Sequence, residues 1–225
     1  MDKITILSNP EAMPAALKLV EKAVAASDSG GPEKPKRKKR KKRDGPAYLQ
    51  FEEIARLFRV IPSVRDRAIF RLGYHAGLRA SEVGSLDVRD YNSRTDRIYV
   101  RRLKGSNSGE HHLVPPESRA LRAWLKVRGS EPGPIFLSEK KRPISRQMLD
   151  VLMKKYGEKA GIPANLRHFH VLKHTCCTHL RALGKNVEDI QDWVGHAQIA
   201  NTMIYSAATN PGREKMAREL AAVWR

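Results

Sequence analysis

HVLKHTCCTHL (residues 170–180) and WVGHAQIANTMIY (residues 193–205) gather four histidines, a Gly-His pair and a tyrosine into one short region. The first stretch predicts a helix over 169–183, which places His170 and Lys173 one turn apart on one face. The second continues a helix predicted over 187–194 into Gly195 and His196, with Tyr205 nine residues after that histidine. Three readings compete: a metal site, a solvated helix face, or a site that handles a phosphodiester. His170 and His174 stand at i and i+4, as zinc ligands can. Val171, however, occupies the place where the metalloprotease helix carries its glutamate, so no metal is expected.

Working outward, the segments upstream read as more helices around one small sheet. FEEIARLFRV (51–60) has apolar residues at 51, 54, 57 and 58, the spacing of a helix face. A second helix is predicted over 64–75, stopped by Ala76 and Gly77, and a short one near Ser81 with Glu82 in its first turn. RIYVRRL (97–103) and EHHLV (110–114) read as strands joined by KGSNSG (104–109), whose composition marks a hairpin loop. Further helices are predicted over 118–127, 145–160 and 213–223. The fold class is therefore mainly α with a small antiparallel β-sheet. A division into a flexible segment over 1–46 and a catalytic domain over 47–225 is expected.

Charge narrows the partner. The 225 residues carry 43 lysines and arginines against 24 acidic residues, a net charge of +19. Nine of those positive charges fall in KPKRKKRKKR: Lys34, Lys36, Arg37, Lys38, Lys39, Arg40, Lys41, Lys42 and Arg43. The rest of the chain remains basic without them. Such a surface attracts phosphate backbones by releasing counterions, and double-stranded DNA is the expected partner. The tract itself reads as a DNA-tracking arm, with a solvated spacer as the plainer alternative. No apolar run is long enough to span a membrane. Cys176 and Cys177 are adjacent, cannot form an ordinary disulfide with each other, and suit a reducing compartment. The expected location is cytoplasmic, at the nucleoid if the source is prokaryotic.

Five segments carry polar residues that a helical core would not need: Arg79 with Glu82 in GLRASEV, Lys104 in RLKGS, His170 with Lys173, His196, and Tyr205. In that order they resemble the tyrosine recombinase (phage integrase) family, over roughly residues 48–225. The resemblance implies that the fold is that family's catalytic domain and that no cofactor is used. It implies that Tyr205 attacks a phosphodiester to form a 3′-phosphotyrosyl bond, and that Arg79 and Lys173 clamp non-bridging oxygens. His196 would donate to one of those oxygens, Lys104 would be the general acid, and His170 would assist proton movement. Glu82 would support Arg79. His174 and His179 are expected to be structural, and Trp193 to pack against the last helices. The amphipathic segment 211–224 would dock on a neighbouring protomer or on its own core.

Two departures stand out. The family's second arginine is Lys173 here, which keeps the charge and loses the planar fork. The enzyme could run more slowly, the site could have drifted, or Arg167 could compensate. The family's helical core-binding domain is also not evident ahead of Tyr48. Two rivals therefore stay open at this point: a non-catalytic DNA-binding protein on the same fold, and a type IB topoisomerase.

Overall fold

A computed structural model describes residues 46–103 and 105–205. The basic tract, Lys104 and the predicted helix over 213–223 lie outside the described residues. Eight α-helices and a three-stranded sheet are described: α1 (Phe51–Arg59), α2 (Val64–His75), α3 (Ala80–Ser85), β1 (Tyr91–Asn92), β2 (Arg97–Val100), β3 (Gly109–His112), α4 (Glu117–Arg128), α5 (Arg146–Lys159), α6 (Val171–Ala182), α7 (Val187–Val194) and α8 (Ala200–Met203). Short 3₁₀ turns fall at Val88–Asp90 and Ala164–Leu166.

The helices start where their caps say they should. Ser63, Ser145 and Asn186 each accept a hydrogen bond from the backbone N–H three residues on, satisfying a donor that the first turn leaves free. Helix α2 is the axis of the main core, packed between α4 and α6. It buries Ile69, Phe70 and Leu72 against Phe136, Tyr156 and Phe169, among others. Asp66 on the same helix is buried and accepts the Tyr156 hydroxyl at 2.7 Å, which ties α2 to α5. A second, smaller cluster of Cys176, Cys177, Ile190, Val194 and Tyr205 joins α6, α7 and the chain beyond α8.

The sheet is antiparallel in the order β1-β2-β3, with Ile98 opposite both Tyr91 and His111. Along β2 the odd residues are exposed and the even ones buried. Past the strand's end Arg101 is exposed and Arg102 buried, so a guanidinium continues the inward row of Ile98 and Val100. Strand β1 is two residues long, too short to show a period, and was absent from the sequence-based expectation.

Helix α6 also anchors the entry of the chain. The Leu49 N–H donates to Thr175 Oγ1 at 3.0 Å, and its carbonyl accepts from His179 Nε2 at 3.0 Å. His179 Nδ1 meets the Tyr74 hydroxyl at 2.9 Å, and the ring stacks on Phe51. With both nitrogens engaged and the ring buried, its pKa is pushed down to about 4 by desolvation. His179 is a structural histidine.

Candidate active site

Arg79 caps the start of α3, in the extended conformation that brings its backbone and side chain back onto the first turn. Its N–H donates to Glu82 Oε2 at 2.8 Å and its Nη1 to Glu82 Oε1 at 2.7 Å. The same Nη1 reaches Ser106 Oγ in the hairpin loop at 3.1 Å. Arg79 is the part-exposed member of this pair, with 28% of its side chain open, whereas Glu82 is fully buried. Burial works to raise the Glu82 pKa. The charges of Arg102 and Lys173 and the hydrogen bonds from Arg79 outweigh that and hold it below its ordinary value.

The second guanidinium on Glu82 was not among the expected site residues. Arg102 Nη1 donates to Glu82 Oε2 at 2.9 Å and to the Gly77 carbonyl at 3.3 Å. Its Nη2 donates to the carbonyls of Ala76 at 2.8 Å and Trp193 at 3.1 Å, and lies 3.3 Å from His111 Nε2. Both terminal nitrogens are thus committed within the protein, so Arg102 cannot stand in for a phosphate-binding arginine. It joins the end of α2, the start of α3 and the end of α7 around one buried group. The inward parity of β2 was the sequence signal that could have found it.

Three hairpin-loop residues close onto this centre: Ser106 on Arg79, Asn107 N–H on the Gly195 carbonyl at 3.2 Å, and Ser108 Oγ accepting the Arg102 N–H at 3.0 Å. Gly195 ends α7 with φ +65°, and a Cβ there would run into the Asn107 carbonyl and come within 2.9 Å of Arg102. A side chain at this position would therefore push the loop off the site.

Lys173 sits in the first turn of α6, 2% exposed, with Nζ donating to the Val194 carbonyl at 2.9 Å. Desolvation, helped by the nearby charges of Arg102 and Arg79, lowers its pKa to about 8 against the opposing pull of Glu82. His170 precedes α6 as the N-cap and is more exposed than Lys173, but desolvation and the nearby charges of Lys173, His168 and Arg79 lower its pKa. His196 is buried, its Nδ1 2.9 Å from Thr202 Oγ1 on α8, which leaves Nε2 as the nitrogen not engaged by that threonine. Burial and the charges of Lys173, Arg79 and Arg102 press its pKa down to about 3, so it is a neutral ring at neutral pH.

Tyr205 is 2% exposed, and its hydroxyl lies 2.7 Å from His174 Nδ1. Burial, with Cys177 and Cys176 beside it, raises the phenol above its ordinary pKa. His174 differs from the buried structural histidine expected in being half-buried, with its Nδ1 on the hydroxyl of Tyr205, a member of the smaller cluster. Trp193 packs against the cluster formed by α6, α7 and Tyr205, as expected, and also reaches across to α2. Its Nε1 donates to the His75 carbonyl at 2.7 Å and its ring meets His75 and His111 edge-on, so it faces the end of α2 and the sheet. Arg167 is spent elsewhere, on the Ile162 carbonyl at 2.7 Å and Glu158 at 3.3 Å, and does not compensate for Lys173.

The geometry brings together Arg79, Glu82, Lys173 and His196 from three separate segments, and sets Tyr205 against α6 at His174. The phage integrase family matches residues 47–211. The chain belongs to the phage integrase family. Among its relatives, the type 1 fimbriae regulatory protein FimB of Escherichia coli (strain K12) is 34% identical over 178 residues, 77% of this chain and 88% of FimB. Tyrosine recombinase XerA of Thermococcus kodakarensis is 34% identical over 172 residues, and the chain spans 60% of that relative's length. The XerA recombinase crystal structure superposes with a TM-score of 0.66 at 28% identity, covering 80% of this chain and 66% of that one. The catalytic domain of bacteriophage HP1 integrase shares the fold, with a TM-score of 0.57 at 19% identity over 76% of this chain and 94% of that one.

Among the described residues no group of three or more His, Cys, Asp or Glu side chains could hold a metal ion, and both cysteines are free. No helix among them is long and apolar enough to cross a membrane.

Proposed function

We propose that this integrase-family protein cleaves and rejoins double-stranded DNA in site-specific recombination, with Tyr205 as the nucleophile. The observation that carries the reading is the cluster of cations around one buried carboxylate. Arg79, Lys173 and Arg102 surround a single carboxylate, Glu82, so the centre carries an excess of positive charge. A pentavalent phosphorane would place its negative charge in that excess.

Each group then has a task set by its surroundings. Glu82 fixes the Arg79 guanidinium toward the opening, where its remaining donors face a phosphate. The neutral His196 donates through Nε2 because Thr202 occupies Nδ1. Lys173 contributes a point charge at the floor of the site. Lys104 is the proposed acid for the leaving 5′-hydroxyl, as the family resemblance implies. The arm from Lys34 to Arg43 would track the backbone outside the site, and segment 211–224 would dock on a neighbouring protomer. DNA as partner is supported by a fold neighbour, the XerH recombinase bound to difH substrate, which has a TM-score of 0.64 at 20% identity.

A nicked suicide DNA tests the reading, because the released fragment diffuses away and traps the covalent complex. Wild type should form a protein–DNA adduct that Tyr205→Phe does not. Absence of the adduct in wild type, under conditions where DNA binds, would favour a non-catalytic DNA-binding role. Relaxation of supercoiled plasmid without site preference would favour a topoisomerase.

A further inference from the structure

The structure assigns His174 as the proton acceptor for the Tyr205 hydroxyl, a catalytic role distinct from that of His170. The inference rests on the reading of Tyr205 as the nucleophile. Contact comes first. His174 Nδ1 is 2.7 Å from the Tyr205 oxygen, the distance of a strong O–H···N hydrogen bond. The ring planes are tilted by 46° with centroids 5.9 Å apart, so the two residues meet through the heteroatoms and not by stacking.

Cys177, one turn further along α6, is buried in the same cluster as Tyr205. Its thiol stays protonated, since burial pushes its pKa up to about 11. The hydrogen-bond partner of the phenol among the described residues is His174, so its O–H is aimed at His174 Nδ1. The imidazole must be neutral to accept it. Burial, with His170, His168 and Lys173 nearby, lowers the His174 pKa to about 4, which keeps Nδ1 unprotonated in the resting protein.

His170 is placed one step behind. It is exposed, precedes the helix, and meets the His174 ring edge-on with centroids 4.6 Å apart. That arrangement lets it adjust His174 and exchange protons with solvent, but the described geometry gives it no contact with the phenol. In the step itself the Tyr205 oxygen forms a bond to phosphorus while its proton passes to His174 Nδ1. The bond from phosphorus to the 5′-oxygen breaks, and that oxygen takes a proton from the acid, assigned above to Lys104. Religation runs the same transfers backward, with His174 returning its proton to the phenol.

Bridging-sulfur chemistry separates this role from others. A suicide DNA with sulfur at the 5′-bridging position has a leaving group that needs no acid. His174→Ala and His174→Gln should lower single-turnover adduct formation about 100-fold on both the oxygen and the sulfur substrate, with DNA binding unchanged. Lys104→Ala should be slow on oxygen and restored on sulfur. The glutamine variant keeps a polar side chain of similar reach, which guards against a simple packing defect. Its adduct rate within threefold of wild type would overturn the assignment, as would restoration of either His174 variant by sulfur. A larger loss in His170→Ala than in His174→Gln would return the role to His170. If wild type forms no adduct, or Tyr205→Phe still forms one, the underlying reading of Tyr205 fails instead.

Discussion

Replacing Lys173 with arginine should change the pH dependence of the enzyme more than its rate at neutrality. The buried ammonium titrates near 8, because desolvation and two neighbouring guanidinium groups work against its charge. Arginine cannot lose its proton in the accessible range. If catalysis needs a cation here, DNA cleavage by the free wild-type enzyme should fall about tenfold between pH 7 and pH 9, as the protonated fraction drops through that pKa. Lys173→Arg should stay flat over the same interval. Saturating DNA should move the wild-type limb upward, since a bound phosphate favours the charged amine. Stability should run the opposite way. The folded pKa lies below the ordinary value of 10.5, so the unfolded chain binds more protons between the two. Folding is therefore penalised by about 3 kcal/mol below pH 8, and that penalty fades as pH rises toward 10.5. Single-turnover adduct formation and urea melts at the same pH values provide both curves. Parallel curves, with activity and stability both rising or both falling, would refute the assignment of a titrating cation at this position.

Four further outcomes follow from the same site. Arg102→Met should destabilise the fold by about 3–5 kcal/mol in urea denaturation, because Glu82 loses its fully buried partner and three carbonyls lose a donor. Gly195→Ala should cost about 2–4 kcal/mol in a thermal melt, from the positive φ and the clash with the hairpin loop, and should abolish cleavage. Acid should unfold the protein steeply. His111, His179 and His196 are buried with pKa values of about 3, 4 and 3, all below the unfolded value of 6.5. The stability gained by keeping them neutral is lost as pH falls through that window, at about 4 kcal/mol per unit near pH 5, measurable by circular dichroism. Deleting residues 34–43 should reduce the slope of log affinity against log salt by several units, up to about 8 if every charge meets a phosphate.

Periodicity made most of the framework legible. The helix over 64–75 and the one over 187–194 occur at their predicted bounds, because caps and apolar spacing agree there. The family motifs also pointed to Arg79, Glu82, Lys173 and His196, which the fold gathers around one carboxylate, and to Tyr205, which it sets against His174. What escaped was information that resides between segments. His174 was read as structural from the family pattern, and the same helix does carry structural residues at Thr175 and His179. Only the return of the chain at Tyr205 reveals what the His174 Nδ1 faces. Trp193 packs with the α6–α7 cluster as expected, but its bond to the His75 carbonyl was not legible, because a backbone acceptor leaves no trace in residue identity. Lys173 was legible as a departure from the family, but its burial and its bond to the Val194 carbonyl were not.

Arg102 carries that last point further. Apart from Glu82 and the edge of His111, it recognises the path of the main chain, through the carbonyls of Ala76, Gly77 and Trp193. Any residue would offer those carbonyls, so the contacts of Arg102 leave no trace in a list of residues. Gly77 and Trp193 are nonetheless fixed for reasons of their own, the one by its positive φ against Val194 and the other by its bond to His75. A shift of the backbone by an ångström would not be harmless. Anyone grafting a new hairpin or a new α2–α3 corner onto this domain should therefore preserve the curve of the chain before preserving its letters.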